Sequence, residues 1–172
     1  MMEQAVRIID TRTILLRSIE ESPGIRYREL LRTTGLVNGV LSYHLAALEK
    51  SDVIKVDRKP GTTRYYPVTI SEKESDILKY VRHKPARQIM LFMLEHDPCT
   101  FNQIVDDIRK APSTVSLHLR RLREGGVIIV RYGEYQLYSL INKDIIFDVL
   151  ANYKASFTDK VVDSYSEMME EL

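Results

Sequence analysis

The feature that most constrains this chain is an internal repeat. The segment VLSYHLAALEKSDVIKV, residues 40–56, aligns without gaps with TVSLHLRRLREGGVIIV, residues 114–130, at an offset of 74. Seven of the seventeen positions are identical, and the same offset pairs Tyr27 with Phe101 upstream. A repeat of this kind indicates one structural unit used twice. The chain has 172 residues, enough for two small domains.

Each repeat predicts the same order of elements. A first helix (11–21 or 86–95) ends at a Pro-containing breaker, and a second helix (27–34 or 101–109) leads through a short turn into a third (38–50 or 113–124). In the third helices, apolar residues recur at i, i+4 and i+7, which places them on one face. A β-hairpin follows, with strands at 53–56 and 64–68 or at 127–130 and 135–140. The predicted fold class is mainly α with small β-hairpin wings (α+β): two winged-helix modules in tandem.

The motifs of the repeat also resemble a known group. The Ser-x-His-Leu-x-x-Leu core, the Val-Ile that follows it and the Tyr-Tyr-Pro-Val or Tyr-Ser-Leu strand are similar to archaeal and bacterial regulators related to the ArsR and MarR families. The resemblance covers about residues 10–70 and 84–142. It implies a tandem winged helix-turn-helix transcription regulator that binds double-stranded DNA. Some ArsR-type repressors carry a metal-sensing cysteine motif that this sequence lacks, so the resemblance implies no metal site.

The regions flanking the repeats complete the predicted domain organisation. We expect a first module over 1–70, a connecting helix over 71–84 that begins at a Ser-x-x-Glu capping pattern, and a second module over 85–142. Residues 143–172 are expected to form one long amphipathic helix that either dimerises the protein or clamps the two modules together. Its apolar positions recur every three or four residues: Ile146, Leu150, Tyr153, Phe157, Val161, Tyr165, Met168 and Leu172.

Charge is unevenly distributed along the chain, although the formal net charge is only +1. Residues 109–136 contain six basic and two acidic side chains, whereas residues 143–172 contain three basic and seven acidic ones. A basic block beside an acidic segment suggests a polyanion-binding face and a separate element that faces away from the polyanion.

The third helix of the second unit is the strongest candidate for contact with DNA. In a winged helix this element enters the major groove and the wing grips the flanking backbone. Serine and threonine bind phosphates or base edges, and arginine can bind guanine with two hydrogen bonds; the alternative is that the arginines are merely solvated. The predicted DNA-binding residues of this unit are Ser113, Thr114, Ser116, Leu117, Arg120, Arg121 and Arg131.

The first unit has no arginine on the exposed face of its third helix, but its wing is basic. Cations on a hairpin can contact phosphates or can protect an edge strand from aggregation, and Tyr43 can meet a base or pack at an interface between modules. The candidate residues here are Asn38, Gly39, Ser42, Tyr43, Arg58, Lys59, Thr62, Thr63 and Arg64.

Other chemistry finds little support in the sequence. His44 and His118 share one position of the repeat beside the apolar stripe and are expected to be half-buried packing residues. The lone Cys99 is expected to lie in the core or to be partly buried, and the alternative is a redox switch. There is no glycine-rich phosphate loop, Gly-x-Ser-x-Gly motif or cluster of zinc ligands, so no enzymatic activity, cofactor or metal is expected.

These observations lead to one functional prediction and one rival. The chain is expected to be a cytoplasmic, sequence-specific DNA-binding transcription regulator, since no signal peptide or apolar run of membrane-spanning length is present. It is expected to form a homodimer through the C-terminal helix, and the sequence identifies no small-molecule effector. The rival is a tandem winged-helix protein-interaction adaptor within a macromolecular assembly.

Overall fold

The computed structural model describes residues 2–153, with side chains from residue 11 onward. These residues form two compact units that divide after Ser71. Each unit contains a set of three helices and a small antiparallel sheet, and the second unit has two further helices, so the predicted winged-helix fold class is confirmed. None of the helices in the described part of the chain is long and apolar enough to cross a membrane.

The first unit contains helices α1 to α3 and strands β1 to β3. Helix α1 precedes α2 and α3, and the sheet has the order β1-β3-β2. The second and third helices begin and end where the apolar periodicity predicted. The bounds of the elements are α1 Met2–Glu21, β1 Ile25–Arg26, α2 Tyr27–Thr34, α3 Asn38–Lys50, β2 Ile54–Lys59 and β3 Thr62–Pro67.

The apolar stripe of α3 builds the core of the first unit. Leu41, Leu45 and Leu48 are buried against α1 and the sheet. Burying a leucine side chain contributes about 1.5–3 kcal/mol, so these three positions are a large part of the stability of so small a unit. The opposite face of α3 is left exposed to solvent, which places Tyr43 at the surface with 68% of its area accessible.

The second unit repeats this arrangement and adds a helix at each end. Its sheet has the order β4-β6-β5, the same as in the first unit. The elements are α4 Glu72–Val81, α5 Lys84–Glu95, β4 Cys99–Thr100, α6 Phe101–Ile108, α7 Pro112–Glu124, β5 Ile128–Arg131, β6 Leu137–Leu140 and α8 Lys143–Asn152.

Helix α4 is an integral part of the second unit. Its residues Ile77, Leu78 and Val81 are buried, and α4 packs against α5 and α8. Tyr80 lies directly over Gly125 at the end of α7, where an added Cβ atom would come within 2.0 Å of the tyrosine hydroxyl. Only glycine allows this close approach, which joins α4 to the end of the third helix.

The prediction of one helix from residue 143 to 172 is wrong at Tyr153. Helix α8 ends at Asn152, and Tyr153 has the non-helical dihedral angles φ −110° and ψ 15°. Its apolar face, formed by Ile146, Val149 and Leu150, is already buried, because α8 packs on α4 and α5 of its own unit. The remaining positions of the predicted stripe, from Phe157 onward, lie outside the described residues.

Two short strands were not predicted. Strands β1 and β4 have two residues each, and they pair with β3 and β6 immediately before the second helix of their units. Strands of two residues are too short to show the alternation of apolar and polar residues by which strands are recognised. The first wing is also longer than predicted: its paired strands extend to Lys59 and Thr62 and leave only Pro60 and Gly61 in the turn.

Candidate nucleic-acid interface

Helix α7 exposes a basic surface in the second unit. Val115, Leu119 and Leu122 face the core and hold the helix in place. Outside this apolar stripe, Ser113, Ser116, Arg120 and Arg121 are exposed, whereas Thr114 and Leu117 are partly exposed. The helix begins with Pro112 in its first turn, where a missing backbone N–H costs nothing because the first turn has no acceptor for it.

Further cations lie at both ends of α7. Arg109 and Lys110 in the preceding turn, Arg123 in the last helical turn and Arg131 at the end of β5 are all exposed. Sequence reasoning included Arg109, Lys110 and Arg123 in the basic block but did not select them as contact residues. Their position in the third helix or next to it is the feature of the sequence from which they could have been predicted.

The arginines of α7 lie on different sides of the helix. Residues at intervals of three and four share a side of a helix, so Ser116, Arg120 and Arg123 form one row. Arg121 is offset from Arg120 by about 100° and lies beside His118 instead. Burial and the charge of Arg121 lower the pKa of His118 below its usual value.

The row formed by Ser116, Arg120 and Arg123 borders a cleft between α7 and the second wing. Leu119, Val130 and Tyr138 complete the lining of this cavity of about 290 Å³, which we call the second helix–wing cleft. Arg123 Nη1 donates a long hydrogen bond of 3.4 Å to the hydroxyl of Tyr132, just beyond β5. Tyr132 itself is 72% exposed, so the bond joins helix and wing at the surface.

The first unit has a different contact between the end of its third helix and its wing. Arg58 on β2 donates to Glu49 at the end of α3 through two hydrogen bonds, Nη1 to Oε1 at 2.5 Å and Nη2 to Oε2 at 2.6 Å. This contact lowers the pKa of Glu49 and raises that of Arg58. The predicted wing cation Arg58 is therefore partly neutralised by its own unit.

Arg64 was predicted to contact DNA from the first wing, and this prediction is wrong. Its side chain is buried, with 7% of its area exposed, and Nη1 donates to the backbone oxygen of Gly24 at 2.8 Å. Arg64 lies in β3, opposite Arg26 of β1 and Asp57 of β2, in the middle of the three-stranded sheet. The guanidinium thus satisfies a carbonyl group at the start of the sheet and cannot reach a phosphate.

The remaining candidates of the first unit surround α3 and the wing tip. Asn38, Gly39, Ser42 and Lys59 are exposed, while Thr62 and Thr63 are half-buried. The Ser42 hydroxyl lies 2.8 Å from that of Tyr27, which also donates to the backbone oxygen of Asn38. Part of the polar surface of α3 is therefore already occupied by contacts within the unit.

The two repeated histidines and the cysteine serve packing. His44 is buried, more completely than predicted, and its ring meets that of Tyr43 edge-on with centroids 5.3 Å apart. Cys99 is buried as predicted, and burial raises the pKa of its thiol to about 11. Within residues 11–153, no group of three or more histidine, cysteine, aspartate or glutamate side chains is placed to hold a metal ion.

The geometry defines the class of protein. Each unit has a third helix with a buried apolar face and an exposed polar face, followed by a β-hairpin, which is the architecture of a winged helix-turn-helix domain. The chain is therefore a tandem winged helix-turn-helix protein.

Comparisons with known proteins agree with this class. A family model described as an N-terminal HTH domain matches residues 9–78, and the model of the bacterial regulatory protein, arsR family, matches residues 84–130. An uncharacterized HTH-type transcriptional regulator of the archaeon Methanocaldococcus jannaschii is 26% identical over 144 residues. This match covers 84% of the present chain but 36% of the relative, so the chain spans about a third of that protein's length. The chain thus contains two helix-turn-helix domains and has an archaeal HTH-type homologue, which confirms the resemblance.

Solved structures with some similarity include regulators of the same kind. The transcriptional repressor BigR from Xylella fastidiosa is 21% identical, with 48% of this chain and 85% of that chain covered and a TM-score of 0.43. ZitR from Lactococcus lactis in complex with DNA is 16% identical, with coverages of 80% and 84% and a TM-score of 0.34. At these TM-scores the similarities add nothing to the assignment.

Proposed function

We propose that this chain regulates transcription by binding duplex DNA, with α7 of the second unit in the major groove. The observation that carries the proposal is the exposed basic surface around α7. Six cations lie on the turn, the helix and the wing of one helix-turn-helix domain: Arg109, Lys110, Arg120, Arg121, Arg123 and Arg131. A surface of this charge in this fold is suited to the phosphates that flank a major groove.

The outermost side chains of α7 are the candidates for reading sequence. Ser113, Leu117 and Arg121 recur at intervals of four on the side away from the core. Arginine in this position can bind a guanine edge with two hydrogen bonds, and an apolar side chain can contact the methyl group of thymine. Thr114 flanks this row and is half-exposed.

The first unit has a weaker interface. We assign Lys59, at the tip of the first wing, to the DNA backbone. Arg131 of the second wing has the same role in the second unit. Tyr43, which is 68% exposed on α3, is assigned to a base edge or a sugar. The pairing of Arg58 with Glu49 leaves this unit with less free positive charge than the second.

We also propose that the protein acts as a homodimer that uses the segment beyond α8. The apolar positions after residue 153 recur with helical spacing in the sequence, and their acidic surroundings favour a place away from DNA. A two-fold dimer would present four winged helices and would favour a palindromic site.

Selection of bound sequences from random duplexes tests the function directly. We expect an enriched motif and an affinity that falls steeply with salt, with a log–log slope of about −5 for roughly six neutralised phosphates. Arg121→Ala is expected to relax the motif, whereas Lys59→Ala should weaken all duplexes evenly.

The adaptor hypothesis predicts the opposite result. If no duplex binds at low salt, or if affinity does not change with salt, DNA is not the ligand. Neither family model and no relative named above is described as an adaptor.

A further inference from the structure

The second helix–wing cleft and its counterpart in the first unit differ in charge at equivalent positions. At the repeat offset of 74, Arg123 corresponds to Glu49 and Arg120 to Ala46, while Tyr132 corresponds to Arg58. In both units the residue near the end of the third helix contacts a residue of the wing, which is Arg58 on β2 in the first unit and Tyr132 just beyond β5 in the second. The contact between helix and wing is thus repeated, although the side chains that make it differ.

In the first unit, the two residues that form the contact between helix and wing neutralise each other. The Glu49 carboxylate accepts two hydrogen bonds from Arg58, so the pair has no net charge, and Ala46 adds no donor. Ser42, the remaining polar residue of this row, lies within 2.8 Å of the Tyr27 hydroxyl. The contact between α3 and the first wing therefore has no excess positive charge with which to bind an anion.

In the second unit, the contact between helix and wing does not neutralise Arg123, and Arg120 nearby adds a second positive charge. The partner of Arg123 is a neutral tyrosine hydroxyl, at a distance of 3.4 Å that is typical of a weak bond. Arg120 and Ser116 stand on the same row of α7, and the row extends along roughly 10 Å of helix at 1.5 Å per residue. The cavity that they border, about 290 Å³, is large enough for a phosphate group.

We infer that the second helix–wing cleft binds a backbone phosphate of the duplex, with Arg120 and Arg123 as its ligands and Tyr132 as the residue that positions Arg123. This inference rests on the proposed function and refines it. It assigns Arg120 to the backbone instead of a base, and it leaves Arg121, on the other side of the helix, as the arginine that reads sequence. It also makes the two units unequal, since only the second has the charge to hold a phosphate between helix and wing.

Phosphate neutralisation in the DNA tests the inference. The experiment uses the full chain and a selected duplex in which single phosphates are replaced, one at a time, by uncharged methylphosphonates. For the wild type, we expect affinity to fall at each phosphate that the protein contacts, and to fall about tenfold at the position held by the cleft of the second unit. For the double variant Arg120→Ala/Arg123→Ala, affinity is already reduced, and replacement at that same position should cost less than about twofold more. An equal loss for both proteins at every position would overturn the inference.

Substitutions in the protein separate charge from positioning. Arg120→Ala and Arg123→Ala should each weaken binding to all duplexes alike and flatten the salt slope by about one unit. Tyr132→Phe removes only the hydroxyl, so it should weaken binding less than Arg123→Ala and leave the slope unchanged. Arg12→Ala, which removes an exposed cation from α1, is the control and should bind like the wild type.

The outcomes distinguish the inference from the function on which it rests. A wild type that binds no duplex contradicts the proposed function. A wild type that binds normally, together with Arg120→Ala and Arg123→Ala variants that bind equally well with unchanged salt slopes, contradicts only the cleft. If the Arg120→Ala variant selects a different motif, Arg120 contacts a base and not a backbone phosphate. All four substituted residues have exposed side chains, and thermal unfolding checks that each variant remains folded.

Discussion

Individual residues show how one backbone is maintained by two different sequences. Gly35 and Arg109 close the second helix of their units with φ angles of 67° and 52°, both in the left-handed region. This conformation costs a non-glycine residue about 1–2 kcal/mol, whereas glycine adopts it freely. Arg109 therefore keeps a charged side chain at a strained position just before α7. Strain of this kind is often found at functional sites.

Relief of this strain is expected to stabilise the protein and weaken its binding. Arg109→Gly should raise the free energy of unfolding by up to about 1 kcal/mol, because the gain at φ 52° exceeds the added entropy of the unfolded chain. The same change removes a cation beside α7, so DNA affinity should fall and the salt slope should flatten by about one unit. Urea denaturation and fluorescence anisotropy measure the two effects.

The matched control lies in the first unit. An added Cβ atom at Gly35 would meet nothing within 4 Å, so Gly35→Ala tests the conformation alone and should cost about 1 kcal/mol. If Arg109→Gly also destabilises the protein, the left-handed conformation is not the source of strain at Arg109.

The buried thiol of Cys99 predicts low reactivity and a definite pH dependence. Burial raises its pKa to about 11 in the folded protein, above its ordinary value of 9.0. The thiol therefore stays protonated at pH 8 in the native state, and iodoacetamide should modify it far more slowly than in the urea-unfolded chain. Because the folded pKa is raised, the contribution of this group to stability is complete below pH 9 and is lost as the pH rises towards 11. Equal alkylation rates for the folded and unfolded chains would contradict its burial.

At the scale of elements, the contact between the third helix and the wing decides how much uncompensated positive charge each unit has at its surface. In the first unit, α3 and β2 are joined by the ion pair of Glu49 and Arg58. In the second, α7 and the wing turn are joined by Arg123 and Tyr132. An exposed ion pair contributes little to stability because water screens the attraction, so the Glu49 pair affects charge more than stability.

Removal of the carboxylate from this pair is expected to strengthen DNA binding. Glu49→Gln keeps the size of the side chain, removes one negative charge and releases the Arg58 guanidinium for phosphates. Affinity for all duplexes should increase several-fold, and the salt slope should become steeper by about one unit. Anisotropy titrations at several salt concentrations measure both quantities.

Charge reversal at the same pair provides the check. Arg58→Glu should weaken binding, and it should do so equally for selected and random duplexes because a wing contact carries no sequence information. A Glu49→Gln variant with wild-type affinity and slope would show that the first wing does not touch DNA.

At the scale of the whole molecule, the described structure limits where an interface between two copies can lie. The apolar face of α8 is covered by α4 and α5 of the same unit and is not available to a partner. Under the proposed dimer, the apolar positions of the sequence after residue 153 are the candidates for the interface. A chain that ends at Tyr153 keeps α8 intact and therefore keeps the core of the second unit.

The proposed dimer can be tested by this truncation. We expect the full chain to sediment as a dimer and the chain ending at Tyr153 to sediment as a monomer with unchanged far-UV circular dichroism per helical residue. The monomer should bind a palindromic site more weakly and with a half-site footprint. A monomeric full chain would exclude the dimer and favour a clamp within one molecule. A truncated chain that remains dimeric would place the interface within residues 1–153.

Local patterns in the sequence were sufficient to predict the repeated fold. The bounds of α2 and α3 follow from apolar residues at helical spacing, from Gly35 after one helix and from the polar residues between them. Local backbone preference and one-sided burial act over a few residues, so these features can be recognised without knowledge of the rest of the molecule.

The charge that reaches the surface was decided only by the tertiary structure. Arg58 and Arg64 look alike in the sequence as wing cations, yet one pairs with Glu49, nine residues earlier, and the other is buried against Gly24, forty residues earlier. The covered face of α8 likewise depends on α4, about seventy residues away. Partners this distant leave no periodic trace in the sequence, because side-chain pairing depends on where the folded backbone places each residue. The sequence by itself thus determined the repeated helix-turn-helix domains, and tertiary packing determined which of their cations are exposed at the surface.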